Sequence, residues 1–84
     1  MSTQKVTGRQ LKAARALLGW SQTELARNSD SSRPTVERIE GVNEDPIDYA
    51  AHDKAGDIVA ALEGAGIEFI EDVGVKLDKR RRRR

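Results

Sequence analysis

The chain has 84 residues, fifteen basic and fourteen acidic, with a single histidine and no cysteine. That length holds one small domain whose core stabilises a fold only marginally, so a partner subunit would help. Without cysteine there are no disulfides and no thiolate metal sites. The longest unbroken apolar run, Ile58 to Leu62, falls far short of the roughly 20 residues of a membrane span. The opening Met-Ser-Thr-Gln-Lys has no apolar stretch behind its charge, unlike a signal peptide, so a soluble cytoplasmic protein is expected.

The formal net charge of +1 hides a segregation. Residues 1–43 carry seven bases and four acids, residues 44–78 carry two bases and ten acids, and Lys79 to Arg84 are all basic. A basic front half beside an acidic back half suits a polyanion facing the front, although a solvated charge mosaic gives the same count.

In chain order, a first helix is predicted from Gly8 to Leu18, with Thr7 as its N-cap. Leu11, Ala14 and Leu18 lie on one face, and Gly19 ends the helix. Only Trp20 separates that end from the next start signal, so it is expected to be a buried wedge at a sharp corner. Ser21-Gln22-Thr23-Glu24 is a capping box. The helix it opens runs to about Asn28, with Leu25 and Ala26 inward. Asn28 to Ser32 reads as a turn in which Asp30 or Asn28 takes the left-handed conformation.

Ser32 caps a third helix to about Glu40, with Pro34 harmless in the first turn. Val36 and Ile39 face inward, and Gly41 marks the end. Val42 to Ala51 reads as a surface connection. A fourth helix is expected from about Asp53 to Glu63, with Ala55, Ile58, Val59 and Leu62 forming an apolar stripe. Beyond Gly64 and Gly66 the period changes to two. Ile67-Glu68-Phe69 and Val75-Lys76-Leu77 form a hairpin whose turn would place Gly74 at positive φ. A lone hairpin is weak, so it must pack on the fourth helix or pair with another subunit's hairpin.

The second and third helices meet at a steep angle and expose the later one, which fits a major groove about 12 Å wide. Gln22 and Thr23 offer amide donors and the positive end of a helix dipole to phosphate. Ser32, Arg33, Pro34, Thr35 and Arg38 line the outward side. Arg33 is placed to bond guanine bidentately, Pro34 to touch a thymine methyl, and Thr35 and Arg38 to reach base or phosphate.

Residues 8–41 resemble the Cro/XRE-type helix-turn-helix family of phage repressors and small bacterial regulators. The resemblance rests on Leu11, Arg15, Leu18-Gly19-Trp20, Ser21-Gln22, Leu25-Ala26, Ser32, Val36 and Ile39-Glu40. It implies a lambda-repressor-like, mainly α bundle of four helices, to which residues 44–78 add the C-terminal hairpin. It also implies that Gln22 meets phosphate, that Arg33, Pro34 and Arg38 face bases, and that Arg15 and Glu40 form a structural ion pair. Ser29-Asp30 departs from the family's hydrophobic residue followed by glycine, so the second helix is expected to end less firmly. Beyond the third helix the family often offers basic or amide groups to the DNA backbone; this chain offers Asn43 and then Glu44 and Asp45, whose carboxylates would repel phosphates.

The basic tail has three readings: a disordered arm on phosphates, a segment docking on the acidic 44–78 region, or a solvated tail. No catalytic pair, cofactor loop or metal set is read. Asp45, Asp48, Asp53 and Asp57 lie in a charged loop and an early helix, where they favour the helix dipole. His52 is read as exposed, and Gly64-Ala65-Gly66 follows a helix, the wrong context for a dinucleotide site. The expectation is a single domain comprising a DNA-binding core (7–43), a dimerising segment (44–78) and the tail (79–84). It is a homodimeric regulator of double-stranded DNA, a repressor because so short a chain has little surface to recruit polymerase. The alternative is a protein-binding adaptor, antitoxin-like or antiactivator, that grips a protein partner with its acidic half.

Overall fold

A computed structural model describes residues 5–42, 46–70 and 74–78 of the chain. It has four helices, α1 (Gly8–Leu18), α2 (Gln22–Asn28), α3 (Arg33–Glu40) and α4 (Ala55–Gly64), then two strands, β1 (Ile67–Ile70) and β2 (Gly74–Leu77). The mainly α bundle with a C-terminal antiparallel hairpin is the expected architecture.

The first three helices begin and end on their sequence signals. At α1 the Thr7 hydroxyl accepts from the Gln10 N–H at 3.2 Å, and the Gln10 amide oxygen accepts from the Thr7 N–H at 2.9 Å. This reciprocal cap satisfies two donors that helix geometry leaves over. At the other end Gly19 is left-handed, with φ 71°, and Trp20 N–H returns to the Arg15 carbonyl at 3.0 Å. That closure turns the chain into α2 within two residues. Leu11, Ala14, Leu25, Val36, Ile39, Ile58 and Leu62 are all buried in one core, and Trp20 packs half-buried at its margin.

The connection after α3 is not simply a surface loop. Ile47 is buried, Tyr49 packs half-buried on the core, and the Ile47 N–H donates to the Val6 carbonyl at 2.9 Å. A core this small needs the apolar side chains of an otherwise charged stretch as its lid. His52 is half-buried rather than exposed. Helix α4 starts two residues after the expected Asp53, because residues 48–55 close tight turns among themselves. Ala51 and His52 N–H bond the Asp48 carbonyl at 3.0 and 3.1 Å, and Ala55 N–H bonds His52 at 2.9 Å.

In the hairpin, Ile67 pairs with Leu77, Glu68 with Lys76, Phe69 with Val75 and Ile70 with Gly74. Gly74 therefore belongs to β2 and does not have the expected positive φ. That conformation falls instead on Gly66, φ 107°, where the chain leaves α4 and turns straight into β1. The hairpin does not rest on the fourth helix alone: β2 lies against α1, while β1 touches α4. Ile67 and Phe69 are buried, whereas Glu68 and Lys76 face outward as an ion pair at 4.0 Å.

Candidate nucleic-acid interface

The corner between α2 and α3 is built by short polar side chains. Ser21 and Glu24 form the predicted box, with Ser21 N–H to Glu24 Oε1 at 2.7 Å and Glu24 N–H to Ser21 Oγ at 3.1 Å. Helix α2 ends firmly despite its departure from the family's turn. The buried Ser29 donates its hydroxyl to the Leu25 carbonyl at 2.7 Å, and Ser31 N–H reaches Ala26 at 2.9 Å. Asp30 takes the left-handed conformation, φ 56°, and its carbonyl accepts from Lys54 Nζ at 2.8 Å. Lys54, just before α4, thus ties the turn to the back of the bundle. Helix α3 then starts at Ser32, whose Oγ accepts from the Thr35 N–H at 3.3 Å and lies 2.9 Å from the Thr35 hydroxyl.

A charged network fixes α3 against α1. Arg15 Nε and Nη2 bond the two Glu40 carboxylate oxygens at 2.7 and 3.1 Å, and Nη1 donates to the Trp20 carbonyl at 3.1 Å. The Glu40 side chain is 2 % exposed, so the bidentate guanidinium offsets the cost of burying a carboxylate. Gln22 joins this network, its Nε2 donating to Glu40 Oε1 at 3.1 Å. The amide at the start of α2 is therefore held from behind.

Val36, Ile39 and Glu40 form the inward face of α3, leaving Arg33, Pro34, Glu37 and Arg38 exposed. Thr23 and Ser32 are also exposed, while Gln22 and Thr35 are half-buried. Neither Arg33 nor Arg38 has an ion-pair partner among the described residues. Asn43 and the tail 79–84 lie outside those residues.

Residues 11–40, spanning α1 from Leu11, the corner and all of α3, match the family model described as helix-turn-helix. The segment is a Cro/XRE-type helix-turn-helix. No curated protein matches the chain. The helix-turn-helix is the module of DNA-binding transcription regulators, and this chain carries it with the Arg15–Glu40 ion pair that the resemblance implied. Among the described residues there is no cluster of three His, Cys, Asp or Glu placed to hold a metal, and no helix long and apolar enough to cross a membrane.

Three residues that support the helix-turn-helix escaped the sequence reading. Gln10 was legible as the fourth position of Thr-x-x-Gln. Lys54 and Ile47 carried no local signal, because each acts on a residue distant in the chain.

Proposed function

We propose that the protein is a homodimeric repressor that inserts α3 into the major groove of a roughly palindromic operator. Support comes above all from the two-sided character of α3. Its inward residues are used in packing and in the Arg15 bond, while Arg33, Pro34 and Arg38 are exposed and neither arginine has an ion-pair partner among the described residues. In this reading Arg33 and Arg38 meet base edges, Pro34 gives an apolar contact, and Ser32 and Thr35 flank them. Gln22 and Thr23 present the start of α2 to a phosphate, and Asn43 adds an amide beyond α3.

Two chains joined through α4 and the hairpin carry two reading heads to successive major grooves, with half-sites about 10 base pairs apart. The exposed Ile70 offers apolar area for such a contact. Action is in the cytoplasm, without a cofactor and without catalysis.

The test is selection from a random duplex library at physiological salt with the full chain. Enrichment of a two-fold site, with preference at one base position relaxed by Arg33→Ala, supports the reading. That substitution should cost about 1–3 kcal/mol on the cognate site. No enrichment would shift the assignment to the protein-binding adaptor that uses the acidic half.

A further inference from the structure

Gln10 is buried at 6 % exposure and uses the two ends of its amide for different purposes. Its oxygen accepts from the Thr7 N–H, completing the cap of α1. Its nitrogen donates to the carbonyls of Ile70 at 2.8 Å and Gly74 at 2.9 Å, the pair at one end of the two-stranded ladder. A glutamate there would make the same cap and would suit the positive end of the helix dipole. It has no N–H, however, and would set a carboxylate against two carbonyl oxygens. The choice of the amide is thus explained by the hairpin and not by the cap.

Two residues earlier, α1 is in backbone contact with the end of α3. A Cβ added at Gly8 would lie 2.5 Å from the Glu40 carbonyl oxygen. The Ile70–Gly74 end of the hairpin, the first turn of α1 and the last turn of α3 therefore form one block.

We infer that Gln10 is a positioning residue that latches the hairpin to the reading head and thereby sets the half-site spacing a dimer accepts. The spacing part rests on the dimeric reading above. An isolated two-stranded hairpin is marginal in water. Joining two chains through it fixes the distance between their recognition helices only if the hairpin itself is fixed on each head. Gln10 supplies that fixing at the Ile70–Gly74 end of the strands, the end farthest from α4 along the ladder.

The experiment compares the full chain with Gln10→Glu, which keeps the cap and removes both latch donors. Hydrogen exchange reads the latch. Hairpin amides should exchange about tenfold faster in the variant, while those of α1 keep their protection. Affinity for duplexes reads the consequence, using a single half-site and paired half-sites stepped by one base pair. The wild type should prefer one spacing by about tenfold. The variant should bind a single half-site within about twofold of wild type yet discriminate spacings by less than about threefold.

Acidification returns one O–H donor to the variant's carboxyl, so hairpin protection should partly recover. This recovery separates the latch from general loosening of the fold. Unchanged hairpin exchange would overturn the latch. Faster exchange with the wild-type spacing profile, or an equal loss on a single half-site, would overturn its link to spacing. A wild type indifferent to spacing would count against the dimer, and hairpin exchange would then decide the latch alone.

Discussion

Glu40 ties three helices together through one carboxylate. It is buried, held bidentately by Arg15, and holds Gln22 in turn. Glu40→Ala leaves the Arg15 guanidinium without its partner and frees the Gln22 amide. The expected cost is roughly 3 kcal/mol in urea unfolding. A double-mutant cycle with Arg15→Ala should recover part of that loss, because the second change removes the stranded charge. Additive losses would mean that the two residues act separately.

Tyr49 is the opposite case. Its hydroxyl is buried without a hydrogen-bond partner among the described residues, and burial, reinforced by the nearby Glu63 charge, raises the pKa of its phenol. The native state therefore keeps the proton that the unfolded chain releases above its ordinary value near pH 10. The stability contributed by the neutral phenol is complete below that pH and is lost as the solution becomes more alkaline. Tyr49→Phe should be neutral or stabilising by up to about 1 kcal/mol at neutral pH. It should also blunt the alkaline loss in a pH series of thermal midpoints. Destabilisation by the substitution would point to a partner for the hydroxyl.

Between α2 and α3, Asp30 holds a conformation that costs an L-residue about 1–2 kcal/mol. Asp30→Gly removes that strain but loosens the unfolded chain, so a net gain of about 0.5–1 kcal/mol is expected. The Lys54 bond goes to the backbone carbonyl and survives the change. Urea midpoints should rise while affinity for a selected operator stays the same. A fall would mean that the Asp30 side chain has a role of its own.

The helices were legible because their signals are local. Thr7, Ser21 and Ser32 each open a helix within a few residues of the donors they satisfy, and the apolar stripes follow directly from helical spacing. Elements whose determinants are distant were harder to read. The start of α4 depends on the turns around Asp48, the packing of the hairpin depends on Gln10, and the burial of Ile47 depends on Val6. Gly74 was misread for a related reason. A glycine near a turn draws attention, whereas the backbone demand lay at Gly66, where a helix runs straight into a strand. On α3 the exposed face was legible from helical spacing, but the anchoring of Gln22 by Glu40 was not. That contact crosses two helices and leaves no trace in spacing.

For the whole molecule, charge segregation separates two kinds of contribution to binding. In the proposed complex, basic side chains in the front half attract the duplex, and each one that neutralises a phosphate steepens the salt dependence. Uncharged donors orient the duplex without doing so. Thr23→Ala should therefore weaken binding to all sequences while leaving the slope of log K against log salt unchanged. Arg38→Ala has two distinguishable results. If the guanidinium meets phosphate, the slope falls by about 0.9 with sequence preference intact. If it reads a base, preference at one position relaxes by about 1–3 kcal/mol. Titrations on cognate and scrambled duplexes at several salt concentrations resolve the two.

The division of α3 into two faces also bears on how such a protein acquires a new target. Val36, Ile39 and Glu40 are tied to the bundle, while Arg33, Pro34 and Arg38 point away from it. Exchanging the outward residues leaves every described core contact and the Arg15–Glu40 pair in place, so variation there is nearly free of folding cost. The scaffold thus behaves as a mount with a replaceable key, in which a few side chains can be recut while the rest of the chain stays as it is.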